Sequence, residues 1–329
     1  LETIGDKIMI IHIIEGGVGK CVFFSSLIPK LAEKEKIITL SSYPDIFENN
    51  PYIYRSLSRG TPYVWEDFIM KEENNVIFYD PYFHPDFIKR KIHVLDAYSQ
   101  GLNVPYTKDT LPELYLSNDL KKDAEKFYNE TGEFIIIQFN SGQSPIGANL
   151  QQEFKWSGFK REYPIEQAEK LIELIKEKYP KLTIVNYSLP NETTFNLKDT
   201  LRLNAPYLFY AALLEKAQTF IGINSSLTHF AAAMKKKGIV LWGGTSPEQW
   251  GYDIHTNISG DCESLYCSRP YLRELGDCVG TGGRWSCPTG KCMEIKPETI
   301  IKELSSLLDK DKIEKQPDKE KQIPQQRPN

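Results

Sequence analysis

Two successive series of short β-branched apolar runs, each alternating with stretches of helical spacing, leave few folds open to this chain. In the first series, Lys7 to Ile14 reads as a buried strand that ends in glycines, and Phe23 to Glu33 has helical spacing. Ile37 to Leu40 and Asn75 to Tyr79 are further strands, and Phe87 to Gln100 is a helix stopped by Gly101. After the charged, amphipathic stretch Asn118 to Thr131 the pattern begins again. Phe134 to Gln138, Leu182 to Tyr187, Thr219 to Ile223 and Gly238 to Trp242 read as strands. Helices opened by Pro164 and spanning Tyr207 to Lys216 and Leu227 to Lys235 lie between them. Such alternation predicts an α/β chain whose parallel sheets are covered on both faces.

At 329 residues the chain exceeds the roughly 100–200 residues of one domain, so two are expected. We expect residues 1–125 as the N-terminal Rossmann-like unit and 126–309 as the C-terminal one. From Lys310 onward Lys, Gln, Glu and Pro dominate, and such a segment buries too little to order itself. The net charge of −4 argues against general nucleic-acid binding, which normally needs a basic face. No apolar run reaches the ~18 residues of a membrane span, which leaves only peripheral membrane contact open. No signal-peptide pattern follows the first strand, so a cytoplasmic location is expected.

Two glycine- or serine-rich turns follow strands, where anions commonly bind. In Glu15-Gly16-Gly17-Val18-Gly19-Lys20-Cys21, the residues Gly16, Gly17 and Gly19 would let backbone N–H groups approach an acceptor or a phosphate at a helix start. The same glycines would serve a close strand–helix packing without any ligand. The run is also similar to the phosphate loop of partition-type ATPases. That chemistry needs a Ser or Thr after the lysine to hold Mg²⁺, and Cys21 stands there. The second turn, Asn224-Ser225-Ser226-Leu227-Thr228-His229, leads from a strand into a helix. Its hydroxyls and unpaired N–H groups can hold phosphate, with His229 in the first turn. The loop Gly243-Gly244-Thr245-Ser246-Pro247 ends the next strand, and ligands of open α/β sheets bind at such carboxyl ends.

At these residues the chain resembles family 9 glycosyltransferases, the group of the lipopolysaccharide and autotransporter heptosyltransferases. The resemblance rests on Asn224 to Ala233, Gly243 to Pro247 with Trp250-Gly251 after it, Gly17-Val18-Gly19-Lys20 with Pro29, and Lys160-Arg161-Glu162-Tyr163-Pro164. It implies a GT-B fold, two Rossmann-like domains facing a cleft, with donor in the C-terminal domain and acceptor on the N-terminal one. It implies an inverting, metal-independent transfer of a sugar, such as a heptose, from a nucleotide-sugar donor, by resemblance ADP-linked. The acceptor would be a glycan, a glycolipid or a protein. Asn224, Ser225, Ser226 and His229, together with Gly244 and Thr245, would contact the donor. Lys160 or Arg161 would neutralise its phosphates, and Glu192 would meet the ribose hydroxyls. Fixed cationic and amide groups would stabilise the departing diphosphate, so no cofactor is needed for catalysis.

The chain departs from that family at two positions. Asn224 replaces an acidic residue, and Lys20 stands where a catalytic aspartate is proposed in heptosyltransferases. An inverting transfer needs a group to take the acceptor proton. Asp80 and then His84, in Tyr79-Asp80-Pro81-Tyr82-Phe83-His84, are the substitute candidates, with Lys20 as a third catalytic or anion-binding candidate. An inactive GT-B-like nucleotide-sugar binding protein is therefore the runner-up reading, ahead of the ATPase.

Five of six cysteines fall in Cys262-x4-Cys267-x10-Cys278-x8-Cys287-x4-Cys292, a polar stretch with no core of its own. Four thiolates around zinc or iron would supply one, and buried thiols or disulfides are the alternatives. Some autotransporter heptosyltransferases look similar here and hold a structural iron. By that resemblance Cys267, Cys278, Cys287 and Cys292 are the expected ligands, with Cys262 as a spare or alternative.

Overall fold

The computed structural model of the protein describes residues 8–71, 74–140, 161–190, 194–262 and 291–314, with side chains up to 309. The described strands form two separate sheets in which every pair is parallel. The first contains β1 (Ile8–Ile14), β2 (Glu35–Ser41), β3 (Ile53–Ser58) and β4 (Asn75–Phe78), in the order β3-β2-β1-β4. The second contains β5 (Phe134–Ile137), β6 (Thr183–Asn186), β7 (Leu201–Arg202), β8 (Phe220–Ile223), β9 (Ile239–Trp242) and β10 (Thr256–Ser259), in the order β10-β9-β8-β5-β6-β7. The α/β class inferred from the alternation is the class observed.

Three strands, β3, β7 and β10, have no counterpart in the sequence pattern. Each lies at a sheet edge. Their residues are mostly exposed or half-buried, so no apolar run marks them. The central strands behave oppositely. In β5, Phe134 and Ile136 enter one core while Ile135 and Ile137 enter another, and β8 and β9 divide in the same way. A strand buried on both faces must be apolar throughout, which is why these runs were legible.

The helix expected over Phe87 to Gln100 is two helices. After α1 (Val18–Ser25) and α2 (Ile28–Leu31) come α3 (Pro85–Ile88) and α4 (Val94–Leu102). Arg90 adopts a left-handed φ of 61° between α3 and α4, and His93 restarts the chain with a capping box. Its ring accepts from Leu95 N, and Asp96 accepts from His93 N. Gly101 does not stop α4. The stop is Asn103, in the left-handed region at φ 52°, a conformation Asn tolerates. Gly101 is required for another reason: a Cβ there would sit 2.0 Å from the Tyr79 ring.

The second sheet carries α5 (Asn118–Thr131), α6 (Ile165–Lys178), α7 (Tyr207–Lys216), α8 (Ser226–Ala233), α9 (Pro247–Trp250) and α10 (Pro297–Glu314). Phe127 of α5 packs edge-on against Phe134 and Phe209, which docks α5 on α7. Helix α10 continues through Lys310, where the tail was expected to start, and residues 315–329 lie outside the described part. The largest apolar cluster runs without a break from Phe23, Phe24 and Tyr98 on the first unit to Phe230, Trp242 and Tyr252 on the second.

Gly238, just before β9, lies against Phe220, and a Cβ there would stand 2.2 Å from that ring and 2.7 Å from the Phe220 carbonyl oxygen. Because the carbonyl cannot move without breaking the sheet, Gly238→Ala should cost about 1–3 kcal/mol of stability, read as a lowered urea midpoint at unchanged m-value.

Candidate functional site

Two strand-to-helix corners, one from each unit, meet where α1 packs on α8. On the second unit, β8 leaves the sheet through Asn224 and Ser225 and enters α8 at Ser226. Ser225 occupies the N-cap, yet its own side chain does not cap this helix. The Ser225 hydroxyl instead accepts from Gln138 Nε2 at 3.1 Å, so its own proton remains to be donated. Gln138 Oε1 accepts from Leu227 N at 3.4 Å, so one amide side chain clamps the turn at both ends. The Ser226 hydroxyl lies 3.0 Å from Tyr187 OH. Asn224 Nδ2 donates to Thr245 Oγ1 at 2.8 Å, tying this turn to the loop that contains buried Gly244. Arg161, half-buried, donates to the Asn224 carbonyl at 3.4 Å. The corner therefore gathers hydroxyls, a guanidinium and a helix N-terminus, all suited to an anion. Lys160 and Glu192 fall outside the described residues.

His229 takes a different position from the one its place in the first turn suggested. Its ring is buried, 4.3 Å from the Phe23 ring centre, with Nδ1 3.2 Å from Tyr252 OH. Burial, followed by the nearby His255, His93 and Arg161, lowers its pKa to about 3, so it is neutral at pH 7. Burial also holds the Tyr252 phenol protonated, with its pKa raised well above normal. The neutral phenol and Nδ1 share one hydrogen bond, and the Cδ2–Nε2 edge of the ring is turned to Gly19. A Cβ at Gly19 would meet His229 Cδ2 at 3.0 Å, so this glycine allows α1 to seat against the histidine. Gly16 turns the chain at φ +99°, a conformation that favours glycine, and Gly17 has open space around it.

On the first unit, the structure brings two of the three catalytic candidates into contact. Lys20 Nζ donates to Asp80 Oδ2 at 2.5 Å and sits 3.9 Å above the Tyr82 ring. Asp80 Oδ1 accepts from Tyr82 N at 3.0 Å. Lys20 is thereby committed to a carboxylate, whereas the lysine of a nucleotide phosphate loop must reach the phosphates. His84 caps α3 by accepting from Asp86 N at 3.2 Å and lines the same cleft as Asp80.

Polar contacts across the seam keep the corners in register. His93 Nε2 donates to the Gly251 carbonyl at 2.9 Å, Gln249 Nε2 donates to the Phe87 carbonyl at 2.8 Å, and Tyr207 OH donates to Asp45. Trp250 sits edge-on to Tyr82 and Phe87. Gln138, Tyr187 and Tyr252 were missed in the sequence reading. Gln138 had a usable signal, being the first polar residue at the carboxyl end of a central strand; the two tyrosines reach the site only through packing.

Of the expected metal ligands, Cys267, Cys278 and Cys287 lie outside the described residues. Cys292 is buried, and its Sγ is 3.8 Å from Cys262 Sγ, so the cysteine left as a spare is the one beside it. Among the described residues no group of three or more His, Cys, Asp or Glu side chains is arranged to hold a metal.

Two expectations follow from these environments. Removing one partner of a part-buried ion pair leaves the other charge poorly paired, so Lys20→Met should cost about 1–3 kcal/mol. Arg59→Ala, which breaks the exposed pair with Glu15, should cost less than about 1 kcal/mol in the same urea titration. His93, His229 and His255 have pKa values lowered by burial to about 4, 3 and 3. The unfolded chain therefore binds more protons than the native one below about pH 6.5, and stability falls on acidification towards pH 4. Each histidine contributes a slope approaching about 1.4 kcal/mol per pH unit. His255→Phe should flatten the measured slope by one such increment.

The corners can now be compared with known proteins. A model of glycosyltransferase family 9 (heptosyltransferase) matches residues 185–269, a span that contains the turn at Ser225 and the loop at Thr245. No curated protein matches the chain in sequence. Among solved structures it is similar to a family 9 glycosyl transferase from Veillonella parvula, with a TM-score of 0.63 and 14% identity over 93% of this chain and 98% of that one. It is similar to the ADP-heptose lipopolysaccharide heptosyltransferase II of E. coli, with a TM-score of 0.55 and 12% identity over 92% and 99%. It is also similar to TibC of enterotoxigenic E. coli, an iron-containing dodecameric glycosyltransferase, with a TM-score of 0.56 and 13% identity over 93% and 77%. TibC has also been solved with ADP-D-beta-D-heptose. At these identities the likeness is one of fold, and the fold is GT-B.

Proposed function

We propose that the chain is a family 9 glycosyltransferase that transfers a heptose-class sugar from an ADP-linked donor to an acceptor held by the N-terminal unit. One observation carries the donor assignment. The Ser225 side chain leaves its own helix uncapped and keeps a hydroxyl proton to donate, and it lies within the segment that matches the family. The diphosphate would take the hydroxyl protons of Ser225 and Ser226, the positive end of the helix dipole and the charge of Arg161, with Lys160 adjacent in sequence. These donors face the charge that builds up on the departing diphosphate, and fixed donors of this kind stabilise it without a cofactor. Neutral His229 would support the turn from behind. The N-terminal domain would end between Asn103 and Asn118, and the remainder would form the donor domain.

Asp80 is the proposed base, because it lines a cleft on the acceptor side and is a carboxylate at a strand's carboxyl end. To take a proton it must part from Lys20 Nζ, and that ion pair supports the second reading, a nucleotide-sugar binding protein that does not turn over. ADP-heptose in EDTA should raise Tm by several degrees. Ser225→Ala and Arg161→Ala should each weaken its binding about tenfold, as expected for lost hydrogen bonds to a charged group. Unchanged affinity in both variants would remove the donor assignment. Release of ADP on adding cell-envelope glycans separates the enzyme from the binding protein.

We further propose that the cysteine segment is closed by a structural metal, zinc or iron. The 3.8 Å between Cys262 and Cys292 Sγ far exceeds a disulfide bond of about 2.05 Å. It equals the edge of a tetrahedron with metal–sulfur bonds of about 2.3 Å. Cys262 and Cys292 would then be two ligands, with the others drawn from Cys267, Cys278 and Cys287. Elemental analysis of the purified protein should find about one metal ion per chain, lost in both Cys262→Ser and Cys292→Ser. Full metal content in Cys262→Ser would return that cysteine to a spare role.

A further inference from the structure

Beside Asp80, a cleft of about 310 Å³ is lined by Phe78, Tyr79, Phe83, His84, Pro85, Gln100 and Gly101. Two aromatic side chains of this wall are open to solvent. Phe78 is 56% exposed and Phe83 66% exposed, although large aromatic side chains normally bury themselves. The floor is apolar as well. Tyr79 covers Gly101 with its ring, and its hydroxyl already donates to the Ala97 carbonyl at 2.9 Å. Polar groups lie around these faces: the Gln100 amide, the His84 ring and the Asp80 carboxylate. No lysine or arginine lines the cleft, and the nearby Lys20 is already paired with Asp80.

We propose that this cleft is a saccharide subsite that receives an uncharged pyranose of a glycan acceptor, with Phe78 and Phe83 as its stacking platforms. The proposal rests on the glycosyltransferase reading above and narrows its acceptor. A pyranose has an apolar C–H face that packs on an aromatic ring and hydroxyls around its rim that need hydrogen-bond partners. Exposed rings with an amide, an imidazole and a carboxylate around them match both requirements. No lysine or arginine lines the cleft and Lys20 is committed to Asp80, so an anionic sugar or a phosphorylated headgroup would find no cation of the lining to pair with. A hydroxyl of the seated sugar would also be next to Asp80, as proton removal requires.

The test uses the full-length protein and saturation-transfer NMR. The probes are methyl α-glucopyranoside, methyl α-mannopyranoside, sialic acid and a Ser/Thr-rich peptide. Saturation should reach the ring C–H protons of at least one neutral glycoside. It should fall at least fivefold in Phe83→Leu and in Phe78→Leu, and persist in Phe83→Tyr, which keeps an aromatic face. Val76→Ala, on the same strand but outside the cleft, should leave it unchanged. Equal saturation in both Leu variants overturns the proposal, as does preference for sialic acid or the peptide. Calorimetry with ADP-heptose on the same sample separates the two levels. Donor binding without glycoside binding removes the subsite alone, whereas glycoside binding without donor binding keeps a saccharide site and retires the ADP-heptose assignment.

Discussion

The seam between α1 and α8 is the contact on which the remaining geometry depends. Phe23 lies at its centre, with His229 at 4.3 Å and Trp250 and Tyr252 each at 6.1 Å between ring centres. Aromatic groups of this size bury much apolar area and hold preferred relative orientations, so they both join the two sheets and orient them. Glycine at 19 is what allows the approach, since any side chain there would press on the His229 ring. A histidine placed in such a seam is driven neutral by its burial. It then acts as an oriented hydrogen-bonding group, with Tyr252 OH bonded to its Nδ1.

With the seam closed by aromatic packing, polar chemistry is displaced to its margins. On one margin Gln138 holds the entry to α8, bonding both the Ser225 hydroxyl and Leu227 N, so the Ser225 hydroxyl does not cap its own helix. On the other, Lys20 and Asp80 neutralise each other under the Tyr82 ring. At position 20 the chain carries an ammonium, and the carboxylate that meets it comes from Asp80, just past the end of β4. Under the proposed reading, Asp80 would have to part from Lys20 to take a proton, so activity and fold would share one ion pair.

The parts legible from sequence were those governed by local periodicity. β5, β8 and β9 are buried on both faces and therefore apolar along their whole length, while α6 carries its apolar residues on one face. The turn at Ser225 was visible because small polar residues between a strand and a helix have few other uses. β3, β7 and β10 were not visible, since edge strands meet solvent and carry no continuous apolar signature. The break between α3 and α4 was hidden because His93 and Asp96 look like ordinary helix residues until their capping box is seen. Gly101 misled for a related reason: a glycine that ends a helix and one that admits a tyrosine ring are spelled alike.

The sequence by itself determined the two α/β units, the placement of strand-to-helix turns at sheet ends, and the residue types available for binding a diphosphate. All of these follow from interactions within a few residues of chain. Only the tertiary structure decided that Lys20 meets Asp80, that His229 is sealed and neutral, and that Cys262 lies against Cys292. These pairings join positions separated by 30 to more than 200 residues. Their geometry is set by how helices and loops pack once each sheet has formed, and no local pattern of side chains encodes it.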